Sequence, residues 1–358
     1  MLMYWVFFTA FAWAALTQMR PVNGDDSTRK NRLAWSITWF LLAVWIGLRH
    51  EVGGDWINYL EHLEQIKDVP FLEFPSHGDP AYGLLNWLGA NVAGGVYLVN
   101  FCAALLFSWG LVRFCREQPR PWLALVVAAP YLITVVAMGY TRQGVAIGLV
   151  MLGLVSFNRG STARFLLWIA LAALFHKSAV VLAPMAIFAG SKRAILKALG
   201  VLLVTALLFV SLLQESVDAL VTNYIEAEYE SSGAAIRVTM NALPAMLFLM
   251  FRKRMRLSQE AQNFWTWMSL GALSFVVLLI VSPSSTAVDR VALYWIPLQL
   301  FVWTRIPDVM GRFGERNPVW VGVVVTLSTA VLFVWLFFAT HAFAWLPYRF
   351  YPLEWLLN

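Results

Sequence analysis

Residues 164–190 read RFLLWIALAALFHKSAVVLAPMAIFAG. Two apolar arms, FLLWIALAALF and AVVLAPMAIFAG, flank the polar triplet His176-Lys177-Ser178. Each arm has about a dozen residues, near 18 Å as a helix, whereas a bilayer's hydrocarbon core is about 30 Å thick. Such arms suit a hairpin that enters a membrane and returns, or a span broken just below one surface. A buried histidine is ordinarily a satisfied core residue, but an ionisable pair at membrane depth also supports a functional reading.

The rest of the chain has the same character. Of 358 residues, 60% are hydrophobic and 15% aromatic, only 13% are charged, and 18 are tryptophan; mean hydropathy is +0.67. A soluble globular protein carries about 25% charged residues. The composition excludes a disordered chain, a disulfide scaffold and an ordinary cytoplasmic enzyme. Outer-membrane barrels need short alternating segments, and these runs do not alternate. Apolar runs of spanning or near-spanning length fall at 2–19, 33–48, 94–112, 121–139, 142–158, 164–175, 178–189, 198–213, 238–251, 262–281, 291–304 and 319–340. The expectation is an all-α, polytopic integral membrane protein with about twelve spanning or partly spanning helices. It forms a single domain over 1–358, with both termini on the same side. The first run resembles a signal peptide, but no charge precedes Arg20, so it is read as a first transmembrane helix with its N-terminus outside. Cys102 and Cys115 share one predicted helix about 20 Å apart, too far to pair, and read as packing residues.

Charge distribution orients the chain. With loops 20–32, 113–120, 159–164, 190–197, 252–260 and 305–318 inside, nineteen of the 26 Lys and Arg fall there against six of the 20 Asp and Glu. The outer side keeps seven bases and fourteen acids. This is the positive-inside bias of a cytoplasmic membrane protein, so the net +6 is a topology signal and not a nucleic-acid one. Two large outer, periplasmic loops follow, at 50–80 and 214–237. Both mix acids with Trp, Tyr and Phe, which suits either a sugar-binding surface or an interfacial aromatic belt over a solvated loop.

Of the seven outward bases, Lys67 reads as solvated. The other six, Arg49, Arg142, Lys177, Arg237, Arg290 and Arg349, lie at or near predicted helix ends. Singly, each reads as a snorkelling side chain or an ion-pair member. Together they suggest an anionic partner, and a diphosphate suits guanidinium geometry. Asp55, after Gly53-Gly54, is either a helix N-cap or a general base. Tyr59 falls one helical turn later. Asp289-Arg290 is a second acid–base pair, either a local salt bridge or part of the site. No Walker A loop, dinucleotide fingerprint, HExxH or Cys/His cluster is present, so no cofactor and no metal is expected.

The stretch Arg49-His-Glu-Val-Gly-Gly-Asp55-Trp-Ile-Asn-Tyr59 resembles the EpsG-type, Wzy-like family of bacterial polysaccharide polymerases. Thr141-Arg142-Gln143, Phe175-His176-Lys177-Ser178 and, more weakly, Asp289-Arg290 with Tyr294 resemble it too, in order through residues 49 to 294. The resemblance implies polymerisation of undecaprenyl-diphosphate-linked repeat units at the periplasmic face of the inner membrane. It also implies kinship with membrane-embedded glycosyltransferases that use lipid-phosphate donors. The partners it suggests are lipid-linked glycans, membrane lipid, and a flippase and chain-length regulator of the same pathway.

The residue chemistry fits that expectation. Negative charge builds on a departing diphosphate, and Arg142, Arg290 and Arg49 would supply cations without a metal. Asp55 or His176 would take the acceptor's proton. Tyr59, Gln143, Lys177, Tyr224, Tyr229, Arg237 and Asp289 complete the expected substrate contacts. An O-antigen ligase or another lipid-linked glycosyltransferase would use the same groups. A flippase would favour charges lining both halves of the membrane, often with inverted repeats, and neither is visible.

Overall fold

The computed structural model describes residues 1–22, 32–74, 78–188, 200, 203, 205 and 233–357. Among these there is no β-strand, only an isolated antiparallel bridge between Arg49 and Phe350. The helices are α1 (Leu2–Thr17), α2 (Arg32–Gly47), α3 (Trp56–Ile66), α4 (Pro80–Asn91), α5 (Gly95–Arg116), α6 (Pro121–Ala128), α7 (Thr141–Asn158) and α8 (Thr162–Phe175). They continue with α9 (Ala234–Phe251), α10 (Gln259–Val281), α11 (Ser285–Ala292), α12 (Ile296–Trp303), α13 (Ile306–Met310), α14 (Pro318–Phe338) and α15 (Tyr351–Leu357).

By length and composition α5, α9, α10 and α14 can each cross a membrane. α1, α2, the segment Pro121–Ala137, α8 and the arm after it are apolar but shorter, so the apolar runs resolve into four spanning-length helices and a set of shorter pieces. Local chemistry explains the breaks. In the run at 121–139, α6 gives way to a π-helix over Ala129–Ala137 that contains Pro130. Its widened ladder leaves the Thr134 carbonyl to accept from Trp345 Nε1 at 2.7 Å. The run at 291–304 is interrupted by a 3₁₀ turn at Leu293–Trp295 with Pro297 just beyond. The run at 198–213 lies outside the described residues, apart from 200, 203 and 205. So does loop 214–237 before Gly233, and with it Tyr224 and Tyr229.

Segment 164–190 forms a hairpin, one of the two arrangements its arms suit, as far as residue 188. α8 starts at Ser161, whose side chain accepts from Arg164 N, and ends at His176, whose backbone is extended (φ −157°, ψ 108°). The return arm, Lys177–Phe188, is a 3₁₀ helix containing Pro184, and it packs back on α8. His176 and Lys177 sit at the tip.

At the centre lies α7, apolar all round and buried over almost its whole length, packed between α5 and α8. Gly148 makes this closeness possible, since a Cβ there would meet the Phe107 backbone of α5 at 2.7 Å. In contrast, α10 and α14 expose Val277, Ile280, Val319, Phe333 and Phe338, an apolar periphery suited to lipid. α1 packs inward through Tyr4, Phe8 and Phe11, and the Tyr4 hydroxyl donates to the Trp345 carbonyl at 2.7 Å. Cys102 and Cys115 are both free, on α5.

Among the described residues, loops gather at two ends. At one end Arg120 reaches the carbonyls of Met19, Thr304 and Glu315, so loops expected on the inner side meet there. At the other, the turn between α2 and α3 meets the start of α7 and the C-terminal segment, while Asp79 at the start of α4 joins α7 to the hairpin tip and the last turn of α11 carries Arg290. That end carries the candidate site.

Candidate functional site

The turn from Leu48 to Asp55 is fastened on three sides. His50 N and Tyr351 N bond across to Arg349 O and Leu48 O at 3.0 and 2.9 Å, and Gly53 N donates to Ala344 O at 2.8 Å. Gly53 adopts φ +109°, and a side chain there would run into the Met138 carbonyl, so the turn needs glycine at that position.

Beneath it lies Arg49, fully buried. Its guanidinium donates to Ile46 O (2.7 Å), Val52 O (2.9 Å), Thr141 Oγ1 (2.9 Å) and Asn100 Oδ1 (3.3 Å). Thus Arg49, expected among the substrate contacts, directs its donors into the chain's own framework. Tyr59 does the same: its hydroxyl donates to Gly139 O (3.2 Å) and accepts from Thr141 N (2.8 Å), tying α3 to the start of α7. Both residues position the site from below and have no face left for a sugar.

Above this layer stands Asp55. It occupies the N-cap position of α3, yet its carboxylate makes no capping bond. Nor does it form an ion pair among the described residues. Burial pushes the Asp55 carboxyl above the usual carboxylate range, against the opposing pull of Arg290, Arg142 and His62. A carboxylate with no hydrogen-bond obligation, beside two guanidiniums and partly shielded from water, is the arrangement a general base requires.

The guanidiniums are held differently from each other. Arg142, second residue of α7, lies with its side chain 40% exposed, Nη1 3.4 Å from Asp79 Oδ2 and the guanidinium 5.8 Å from the Tyr82 ring centroid. Arg290 lies over the Tyr140 ring at 3.9 Å and makes no ion pair among the described residues. Its carbonyl accepts from Gln143 Nε2 at 2.5 Å, so Gln143, buried next to Arg142, couples the two cations through the backbone. Gln143 Oε1 has no partner among the described residues.

The neighbouring acid, Asp289, is committed elsewhere. It receives a bidentate pair from Arg237 Nε and Nη2, both at 2.7 Å. One turn below, Asn241 Nδ2 donates to Ala292 O at 2.8 Å, and Asn241 Oδ1 accepts from Gln299 Nε2 at 2.7 Å. Arg237 and Asp289 therefore belong to a zipper between α9 and the α11–α12 segment, which leaves Arg290, half-buried, as the cation of this element without an acid partner among the described residues.

The hairpin tip closes the site. His176 Nδ1 lies 2.7 Å from Ser178 Oγ, which donates to the Tyr294 hydroxyl at 3.2 Å. The Lys177 backbone N–H donates to Asp79 Oδ1 at 3.3 Å. Asp79 therefore links the tip to Arg142, and burial raises its carboxyl despite both partners. Sequence reasoning passed over Asp79. Asp79-Pro80 signals a helix start, with an N-cap acid before an N1 proline, but nothing local to it indicates Arg142. Tyr140 and Asn100 were likewise unmarked, and Ser178 was marked only as part of the His176-Lys177-Ser178 motif. Among the described residues no group of three or more His, Cys, Asp or Glu is arranged to hold a metal ion.

The structure thus brings Asp55, Arg142, Gln143, His176, Lys177 and Arg290 to one end, over a framework of Arg49 and Tyr59 and beside the Arg237–Asp289 pair. Neither the curated proteins nor the solved structures include a match to the chain. The family model described as "EpsG family" matches residues 32–350, nearly the whole chain and every element of the site; this membrane protein belongs to the EpsG family.

Proposed function

We propose that the chain is a polymerase that joins undecaprenyl-diphosphate-linked oligosaccharide repeat units, by glycosyl transfer at the periplasmic face of the bacterial inner membrane. The EpsG family is associated with polysaccharide polymerase activity. The observation that carries the reading is Asp55, a shielded carboxylate without capping bond or ion pair, standing with Arg142 and Arg290 at the membrane end.

In this reading the acceptor hydroxyl gives its proton to an Asp55 carboxylate oxygen as its oxygen bonds to the donor's anomeric carbon. The bond from that carbon to the diphosphate oxygen breaks, and its electron pair leaves on the diphosphate. Guanidinium donors stabilise that growing charge, most where water is excluded. Arg290, resting on an aromatic face with no acid partner, is placed to do so. Arg49 acts through the framework and Arg237 through Asp289. His176, with Nδ1 engaged by Ser178, presents Nε2 as the other candidate base, and variants of the two residues separate them.

The direct test is the glycan profile of the lipid-carrier fraction from cells lacking the chain. Single repeat units on the carrier, with no ladder, are the expected result. Full-length polymer stranded on the carrier would indicate a ligase, and units trapped on the cytoplasmic face a flippase.

A further inference from the structure

Beside Arg142, between α3 and α4, a shallow cleft opens at the site's end of the molecule. It is lined chiefly by His62, Gln65, Asp79, Tyr82, Asn86 and Arg142, and holds about 330 Å³ counting its open mouth.

Its polar groups are incompletely satisfied by the protein. The Tyr82 and Asn86 side chains are each only 3% exposed. Tyr82 Oη and Asn86 Oδ1 are both buried, and neither meets a hydrogen-bond partner in good geometry among the described residues. Buried donors and acceptors are normally paired, and an unpaired one favours any ligand that completes it. His62 contributes a fixed acceptor. Its Nδ1 lies 2.6 Å from Asn58 O, and because a carbonyl only accepts, Nδ1 carries the hydrogen and the neutral ring offers its Nε2 lone pair.

The charges in the cleft nearly cancel. Asp79 accepts from Arg142 Nη1 and from Lys177 N, so a free anion gains less here than it would at Arg290. What remains is a set of alternating partners: donors from Tyr82, Gln65 and the other Arg142 N–H groups, acceptors from His62, Asn86 and Asp79. Adjacent hydroxyls, each both donor and acceptor, fit such a set; a phosphate, which only accepts, does not.

We propose that this cleft is a neutral-sugar subsite, which holds a hydroxyl-bearing ring of the acceptor glycan against Arg142 and Asp79 while the diphosphate of the donor lies at Arg290. The two site arginines then have separate duties, one neutralised and turned to sugar, the other free and turned to phosphate. The assignment rests on the glycosyl-transfer reading above and extends it.

The test uses the full-length protein in detergent and two probes. One is a set of mono- to tetrasaccharides from partial acid hydrolysis of the strain's own surface polysaccharide, followed by saturation-transfer NMR. The other is inorganic diphosphate, followed by its protection against thermal unfolding. Tyr82→Phe removes a hydroxyl that has no partner, so the melting temperature should hold while saccharide affinity falls about tenfold, the loss of one hydrogen bond. His62→Phe should weaken saccharide binding likewise. Arg290→Ala should abolish diphosphate protection and leave saccharide binding unchanged. Saccharide binding equal to wild type in both Tyr82→Phe and His62→Phe overturns the subsite, as does its absence from the wild type. Unchanged carrier-linked polymer in cells lacking the chain overturns the glycosyl-transfer reading itself, a different result from a different measurement.

Discussion

The two ends of the molecule each contain an Arg–Asp pair, and the pairs are opposites. At the inner-loop end Arg120, 1% exposed, meets Asp308, 7% exposed, in a bidentate contact at 2.7 and 2.8 Å. Its other donors reach three carbonyls, and Asp308 also accepts from Gly314 N. At the opposite end Arg142 touches Asp79 through one nitrogen at 3.4 Å and keeps 40% of its side chain exposed. One pair is closed, with its polar groups directed into the protein. The other is loose, beside a carboxylate with no partner and a cleft with unpaired polar atoms. The same chemistry fastens loops in one pair and leaves donors available in the other. A buried, fully bonded ion pair is a poor candidate for a site, because its charges have no capacity left for a ligand.

Paired substitutions would break or sharpen this contrast. The largest effects should be opposite in kind. Arg290→Ala or Asp55→Asn should lower polymer formation by about 10²-fold or more while the protein still folds. Arg120→Ala should strand a buried Asp308 and destabilise the fold by about 3–5 kcal/mol. Carrier-glycan analysis and melting in detergent measure the two. If Arg120→Ala melts like wild type, or Arg290→Ala fails to fold, the division between the ends is wrong.

The next effect is a pH dependence. The folded Asp55 carboxyl titrates above its unfolded value, so its contribution to stability is fully present below the ordinary Asp range and is lost as pH rises through the elevated folded value. Catalysis runs the other way, since the base must be ionised. Activity should therefore rise, and stability fall, across the same interval above the ordinary Asp range. Asp55→Asn should flatten that part of the stability curve, and melting from pH 4 upward in both proteins measures it. A wild-type curve rising through that interval would contradict the assignment.

The smallest effect belongs to Arg349, one of the six outward cations expected to converge. It pairs with Glu51 at the surface, both exposed. Arg349→Ala should change stability by no more than about 1 kcal/mol and leave polymer formation within twofold. A larger loss of polymer would return it to the site.

Much of this architecture was legible in the chain. The apolar runs and the asymmetry of Lys and Arg separated the two ends, and the break at His176 marked the hairpin tip. Asp55, Arg142 and Arg290 were also marked by their residue types at predicted helix ends. Arg49 and Tyr59 were read as contacts with substrate. Both proved to be framework, because the carbonyls and hydroxyls that bind them come from the α2 end, Asn100, Gly139 and Thr141, and backbone acceptors have no sequence signature. Asp79, Tyr82 and Asn86 were passed over for the complementary reason. Each is ordinary on its own helix and becomes notable only beside Arg142.

By itself the sequence determined that this is a membrane protein, because partition into a bilayer depends on summed local composition. Only the tertiary structure decided which arginines are neutralised. Arg237 meets an acid 52 residues away, Arg142 one 63 away and Arg120 one 188 away. The strength of an ion pair depends on a few ångströms of separation and on the water excluded around it, and both are set by helix packing.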